Sequence, residues 1–340
     1  MREADLHVTA RELVAPHKGI LAADESFSTI EKRFKSIDLE STEENRRAYR
    51  DMLLTAPLLE RSISGVIMFD ETIRQKSADG RRFCEVLAGR GIIPGIKVDT
   101  GAKDLALFAG EKVTEGLDGL RDRCEEYAGL GARFTKWRAV IAIGSGIPTD
   151  FCILANAHAL ARFAALSQEA GLVPIVEPEV LMDGGHSIDR CYETTARMLG
   201  VLFEQLGKHD VDIQGTLLKT NMVLSGEGAH ERAGVEEVAN QTVKVLEQSI
   251  PPDLPGVVFL SGGQSDGEAT AHLNAMNQID HGPWELSFSY GRALQSSSLG
   301  TWKGKASNLE AAQKALSHRA RLNGAARSGS YTSSMESEEF

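Results

Sequence analysis

The chain has 340 residues, room for one large domain or two ordinary ones, and its 42% apolar and 25% charged content is that of an ordinary globular protein. A net charge of −11 argues against a nucleic-acid partner, which calls for a basic face, yet leaves room for an anionic substrate in a locally basic pocket. No apolar run approaches the ~20 residues of a membrane span, and the N-terminal stretch lacks a signal-peptide core, so no membrane partner and a cytoplasmic location are expected.

In chain order, an amphipathic pattern from about Ala4 to Val14 predicts an N-terminal helix. Eight short apolar runs then read as strands. They are "GILAADES" (from Gly19), "SGVIMFDE" (Ser64), "IPGIKVD" (Ile93), "ARFTKWRAV" (Ala132), "LVPIVEPE" (Leu172), "GTLLKTN" (Gly215), "GVVFLSGG" (Gly256) and "LSFSYGR" (Leu286). A helical pattern follows each. "STEENRRAYRDMLLTA" opens on a hydroxyl cap with acids in its first turn. "FCILANAHALARFAALSQEAG" closes on Gly171, suited to the left-handed position past a helix end. "HERAGVEEVANQTVKVLEQSI" stops before Pro251 and Pro252, and "SNLEAAQKALSHRARLNG" closes at Gly324. Further helices are expected near 81–91, 116–130, 187–208 and 266–278.

Strand–helix alternation repeated eight times predicts a parallel sheet under helices, and near-continuous apolar strands are those buried on both faces. Eight units is the closing number of the (β/α)8 barrel, usually ~250 residues, so the fold class is α/β, a TIM barrel with an extra N-terminal helix. An open doubly wound sheet is the structural alternative. Residues 1–324 are expected to form one catalytic domain. The small, polar residues 325–340 are expected to form a flexible, mobile tail. Cys84, Cys124, Cys152 and Cys191 are too dispersed for a redox or metal motif and read as reduced buried thiols; the nine histidines show no zinc spacing.

The predicted strand exits carry the chemistry: Asp24, Asp70 with Glu71, Lys97, Lys136 with Arg138, Glu177 with Glu179, Lys219, Ser261 and Arg292. A barrel gathers these ends around one mouth. Crowding and burial both favour the neutral amine of a lysine, which attacks carbonyls, while cationic lysines bind phosphate. The residues themselves do not choose between these readings, nor among Lys97, Lys136 and Lys219. Glu177 and Glu179 lie two apart in an extended segment, so both face one way, and with Asp24 they supply acid–base partners or simple ion pairs. "SGGQS" and "SYGR" at the last two strands offer Ser261, Gly262, Ser289, Gly291 and Arg292, where barrels frequently build a phosphate site.

These segments resemble the class I fructose-1,6-bisphosphate aldolase family. The likeness is carried by "KGILAADES", "TEENRRAYR", "GIKVDTG", "GLDGL", "FTKWR", "PIVEPEV", "GTLLKTNMV", "FLSGGQS" and "LSFSYGRALQ", in the family's order, from about residue 10 to 323. The resemblance implies that Lys219 forms the Schiff base with the sugar ketone. It implies Glu177 as general acid–base, Asp24 as the group handling the C4 hydroxyl proton, and Lys136 as the lysine that orients them. Glu179 and Arg138 are implied as supporting residues. Ser261, Gly262, Gly291 and Arg292 are implied for the phosphate beside the ketone; Ser26, Thr29, Arg33 and Lys97 for the distal one. The implied substrate is a phosphorylated sugar cleaved to dihydroxyacetone phosphate and glyceraldehyde 3-phosphate, without metal or other cofactor, by a homotetramer.

Three departures from the family pattern stand out. Phe27 and Ser28 replace a small residue and glycine and are expected to reshape the distal-phosphate loop. Thr220 replaces a proline after the Schiff-base lysine, restoring an N–H there. Phe340 stands where well-studied relatives end in tyrosine, with Tyr331 several residues upstream, so the tail is expected to tune turnover less. The alternatives are a Schiff-base aldolase for another phosphoketose such as sedoheptulose 1,7-bisphosphate, a phosphosugar isomerase with Glu177 as base, and a non-enzymatic binding barrel.

Overall fold

The computed structural model of the chain describes residues 3–338. Eight parallel strands close into a barrel: β1 (Gly19–Ala23), β2 (Ile63–Met68), β3 (Ile93–Lys97), β6 (Phe134–Ile141), β7 (Val173–Val180), β8 (Leu217–Thr220), β9 (Gly256–Phe259) and β10 (Glu285–Tyr290). β1 pairs with both β2 and β10, so closure is complete and the open doubly wound alternative is excluded. Every residue of β1, β2, β7, β8 and β9 is buried, as expected of strands covered by helices outside and side chains inside.

The N-terminal helix α1 (Glu3–Leu13) closes one end of the barrel. Leu6, Ala10 and Leu13 recur at helical spacing, and with Val14 they pack against the inward residues Ile20, Ala22, Ile67, Phe134, Val173, Ile175, Leu217 and Val258. Phe134 fills the interior where Gly95 has no side chain; a Cβ there would lie 2.2 Å from the Phe134 ring. With this end filled, only the opposite end, at the strand C-termini, is left for a cleft.

The outer helices begin where hydroxyl caps stand. α3 (Glu43–Leu54) opens on Thr42, whose side chain accepts from Asn45 N. Thr149 caps α7 (Asp150–Glu169), Ser187 caps α8 (Ile188–Lys208), and Ser265 with Glu268 forms a capping box on α10 (Asp266–Met276). Gly171 has a φ of 73°, the left-handed conformation expected past α7. α9 (Val235–Ser249) stops before the proline pair. α5 (Phe83–Ala88) and α6 (Leu120–Gly129) are shorter than their sequence patterns. No helix among the described residues is long and apolar enough to cross a membrane.

Four elements have no counterpart in the sequence reading: α2 (Phe27–Lys35), the short α4 (Asp70–Arg74), α11 (Arg292–Trp302), and a hairpin of β4 (Gly101–Asp104) with β5 (Lys112–Glu115). Two of them start at the mouth and matter for the site. The serine-rich α11 is a poor helix by propensity, held by burying Leu294, Gln295, Ser298, Leu299 and Trp302.

α12 (Leu309–Ala326) runs two residues past Gly324, where a glycine stop is predicted. Gly324 is there because the chain packs closely: a Cβ would lie 2.6 Å from the His17 carbonyl oxygen. Beyond the helix, Tyr331 N donates to Asn274 Oδ1 at 2.9 Å, and Arg319 Nη1 holds both Glu336 carboxylate oxygens at 2.7 and 2.6 Å. The segment whose composition reads as a mobile tail thus makes specific contacts with α10 and α12. Phe340 lies outside the described residues.

Gly324→Ala is expected to lower stability by about 1–3 kcal/mol because a carbonyl cannot yield as a side-chain tip can. Gly300→Ala, in α11 with nothing within 4 Å of its Cβ, should raise it by up to about 1 kcal/mol. Thermal unfolding of the pair checks both signs.

Candidate active site

The strand C-termini open into a cleft of about 1010 Å³. Its lining brings together Asp24, Ser26, Thr29, Arg33, Lys97, Lys136, Arg138, Glu177, Glu179, Lys219, Ser261, Gly262, Ser289, Gly291 and Arg292, each given a catalytic or substrate-binding role in the sequence reading. Four lysines and five arginines line it against six carboxylates, a basic cleft in an acidic protein. Asp70 also lines it, but Glu71 turns outward to Arg46, at 2.5 and 2.8 Å.

At the centre, Lys136 Nζ lies 2.7 Å from Asp24 Oδ2 and 2.9 Å from Glu177 Oε2. Lys219 Nζ lies 3.3 Å from the other oxygen of Glu177. Lys136, Glu177 and Lys219 are all buried. Burial works to raise the Asp24 carboxyl, but the charges of Lys136, Lys219 and Lys97 outweigh it and hold it far below the usual carboxylate range. Glu177 follows the same pattern: burial raises it, and Lys136, Lys219 and Arg138 pull it below its ordinary value. Lys136 is the converse, with burial lowering it and Asp24, Glu177 and Asp99 raising it well above an ordinary lysine. At neutral pH this is a lysine cation between two carboxylates, with a second lysine beside Glu177.

Strand geometry sets this order. Lys97 and Lys136 stand opposite each other on β3 and β6, and Arg138 stands opposite Glu177 on β6 and β7. Glu177 and Glu179 both turn to the mouth, as their two-residue spacing predicts, the second binding Arg138 Nε. Thr220 remains within β8, opposite Phe259, and donates to the Pro178 carbonyl at 3.4 Å. The residue after Lys219 is therefore held in the sheet, although it lacks a proline ring.

After β9, Gly262 takes a φ of 54° and the turn closes with Gln264 N donating to the Ser261 carbonyl at 3.0 Å. Arg292 donates to the Gly262 carbonyl, tying this turn to the start of α11, whose N-terminal Gly291 borders the cleft. Ser289 Oγ is buried with no hydrogen-bond partner among the described groups. A helix N-terminus, an unpaired hydroxyl and an arginine together offer donors of the kind that suit an anion.

The other anion-favouring region is the first turn of α2, not a loop as read from the sequence. Ser26 is its N-cap without a side-chain cap bond, and Ser26 Oγ lies 3.3 Å from Ser28 Oγ and 3.1 Å from Thr29 Oγ1. Behind it the buried Glu25 binds Arg33 and Arg50, and Gln295 accepts from Arg33 at 3.0 Å and Tyr49 at 2.8 Å. Sequence reasoning missed this support, together with Phe69 and Asp99 in the lining; an isolated aromatic or acid at a strand exit gives no local signal. No group of three histidine, cysteine, aspartate or glutamate side chains among the described residues is arranged as a metal site.

A closed (β/α)8 barrel with a buried lysine–carboxylate cluster and two anion-favouring rims is the architecture of an enzyme acting on an anionic carbonyl compound. The model of the glycolytic class-I fructose-bisphosphate aldolase family matches residues 5–340. A probable class 1 fructose-bisphosphate aldolase of Xanthomonas campestris pv. campestris is 59% identical over 324 residues, covering 95% of this chain and 97% of its own. The fructose-bisphosphate aldolase of Dictyostelium discoideum is 52% identical, with 96% and 93% covered. Among solved structures, the Plasmodium falciparum aldolase, crystallised with TRAP and a small-molecule inhibitor, matches with a TM-score of 0.95 at 48% identity over 97% of this chain and 95% of that one. The chain belongs to the class I fructose-bisphosphate aldolase family, and as such is a lyase.

One pH effect follows from the turn after β9. His272 Nδ1 lies 2.6 Å from Gln264 Oε1, an acceptor only, so Nδ1 carries the proton, while Gln264 Nε2 donates to the Ser261 carbonyl at 3.0 Å. Burial pushes the imidazole from 6.5 down to about 4. Between these values the unfolded chain binds the proton and the folded one does not, so the contribution is full above pH 6.5 and lost as pH falls toward 4. Unfolding stability of wild type relative to His272→Gln is expected to be flat above pH 6.5 and to decline below it. A difference independent of pH would contradict this.

Proposed function

We propose that the protein cleaves fructose 1,6-bisphosphate reversibly to dihydroxyacetone phosphate and glyceraldehyde 3-phosphate through a Schiff base on Lys219, serving glycolysis and gluconeogenesis. The observation that carries the choice of lysine is the unequal pairing in the cluster. Lys136 is bound to two carboxylates, whereas Lys219 has one, Glu177, at 3.3 Å. Attack needs the nitrogen lone pair, so Lys219, with the single acid–base partner Glu177, is freer to react than Lys136, while Lys97 meets only Asp99, at 3.9 Å, too far for direct proton transfer.

In the forward direction the Lys219 amine adds to the C2 ketone, forming an N–C bond, and the oxygen takes up a proton. Glu177 passes to that hydroxyl the proton it has taken from Lys219 Nζ before attack; the hydroxyl leaves as water, giving the iminium and returning Glu177 to the carboxylate. Asp24 then accepts the C4 hydroxyl proton as the C3–C4 bond breaks, its electron pair flowing to the iminium nitrogen. Glyceraldehyde 3-phosphate departs, and the enamine left on Lys219 is protonated at C3 and hydrolysed. Lys136 keeps Asp24 and Glu177 oriented and ionised between steps. Ser261, Gly262, Ser289, Gly291 and Arg292 hold the phosphate beside the ketone; Ser26, Thr29, Arg33 and Lys97 hold the distal phosphate, with Arg138 and Glu179 supporting Glu177.

Assembly as a homotetramer in the cytoplasm belongs to the same reading, as does a catalytic domain of residues 1–324 followed by a flexible C-terminal tail, 325–340. Sedimentation of a monomer would remove the first.

Incubation with dihydroxyacetone phosphate and borohydride is expected to reduce an adduct onto Lys219, located by peptide mass spectrometry, and Lys219→Met to abolish both adduct and turnover. An adduct on another lysine, or none, would overturn the mechanism. Glu177→Gln should lower kcat by roughly 10²–10⁴-fold with little change in KM, the range for loss of a general acid–base.

A further inference from the structure

Phe27 is 52% exposed yet is not idle surface. Its ring meets Phe69 edge to face, with centroids 5.1 Å apart and planes at 86°. The Arg46 guanidinium lies 4.7 Å over the Phe27 ring, and Arg46 is itself held by both oxygens of Glu71. Lys97 Nζ in turn lies 5.2 Å over the Phe69 ring. The lysine's ion pair with Asp99 is loose, at 3.9 Å. Phe69 and Lys97 line the cleft, whereas Phe27 and Arg46 line a separate hollow outside it, so Phe27 is part of the wall between the two.

We propose that Phe27 is a positioning residue: acting through Phe69, it fixes the Lys97 ammonium at the rim for the distal phosphate of the substrate. This rests on the aldolase reading of the cleft and goes beyond it, since Phe27 touches neither the cleft nor the reacting atoms. Lys97 sits at the end of β3 with no close hydrogen-bonded partner among the described residues to hold its flexible stem. A carboxylate at hydrogen-bond distance would anchor it but would compete with an incoming phosphate. A ring face attracts the cation without using its N–H donors, which stay available for the anion. The ring keeps its place only if it is itself packed, and Phe27, with the Arg46 guanidinium over it, packs against it edge to face. The bidentate Arg46–Glu71 pair anchors the outer end, so the stack runs from α3 across the start of α2 and the end of β2 to Lys97.

The test is steady-state kinetics on two substrates, fructose 1,6-bisphosphate and fructose 1-phosphate, the second lacking the distal phosphate. Phe27→Ala is expected to raise KM for the bisphosphate about two- to fivefold, the weight of one partly exposed cation–π contact, with kcat within about twofold. Fructose 1-phosphate kinetics should not change, and Phe27→Tyr should restore the wild-type KM. In a Lys97→Met background, Phe27→Ala should add nothing, because its effect passes through that ammonium. Equal rises in KM for both substrates, a rise that persists without Lys97, or no rise at all would each overturn the proposal. Failure of wild type to cleave either sugar would instead overturn the aldolase reading, and the positioning role with it. Phe27 is half-exposed at a helix start, and matching thermal midpoints for wild type and Phe27→Ala confirm that the kinetic change is not loss of fold.

Discussion

The site is organised around one buried cation. Lys136 Nζ lies between Asp24 and Glu177, at 2.7 and 2.9 Å, with all three side chains largely withdrawn from water. Burying ions is costly, and an apolar replacement of similar volume often serves stability as well or better. A cluster of this kind at the end of a barrel is therefore better explained by what it does than by what it holds together. Its charge keeps two carboxylates ionised where burial alone would protonate them. It also occupies Glu177 Oε2, leaving Oε1 toward Lys219.

The scaffold makes this arrangement possible by filling the other end. α1 stops the barrel below with Leu6, Ala10, Leu13 and Val14, and Phe134 fills the space left by Gly95. Strand pairing then fixes the levels of the charged side chains, setting Lys97 opposite Lys136 and Arg138 opposite Glu177. Two helix starts, α2 after β1 and α11 after β10, bring serine hydroxyls and arginines to the rim, where anionic groups are favoured.

The barrel was legible because it rests on strong local signals. Eight apolar runs separated by helical periodicity admit few folds, and polar residues at each run's end marked the mouth. Glu177 and Glu179 could be assigned to one side from the period of a strand alone. What escaped the sequence depends on tertiary contact. α11 is made of "RALQSSSLGTW", whose serines carry little helical propensity, and it exists because its inner face is buried. α2 was hidden because Phe27 and Ser28 at its start read as part of a loop. Gly324 looked like a helix stop but is a point of close approach to the His17 carbonyl. The choice of Lys219 among three lysines was likewise not in the spacing. It came from the family motif, and the unequal pairing of Lys136 and Lys219 supplies a physical reason for it.

The account stands on Lys136 remaining an ion-paired cation while Lys219 carries the substrate. A crystal structure of the protein equilibrated with dihydroxyacetone phosphate at neutral pH measures this directly. Continuous density from C2 of the ligand to Lys219 Nζ, with Lys136 still bridging Asp24 and Glu177, is the predicted result. Density joined to Lys136 or Lys97, or an unattached ketone beside an intact Lys219, would contradict it.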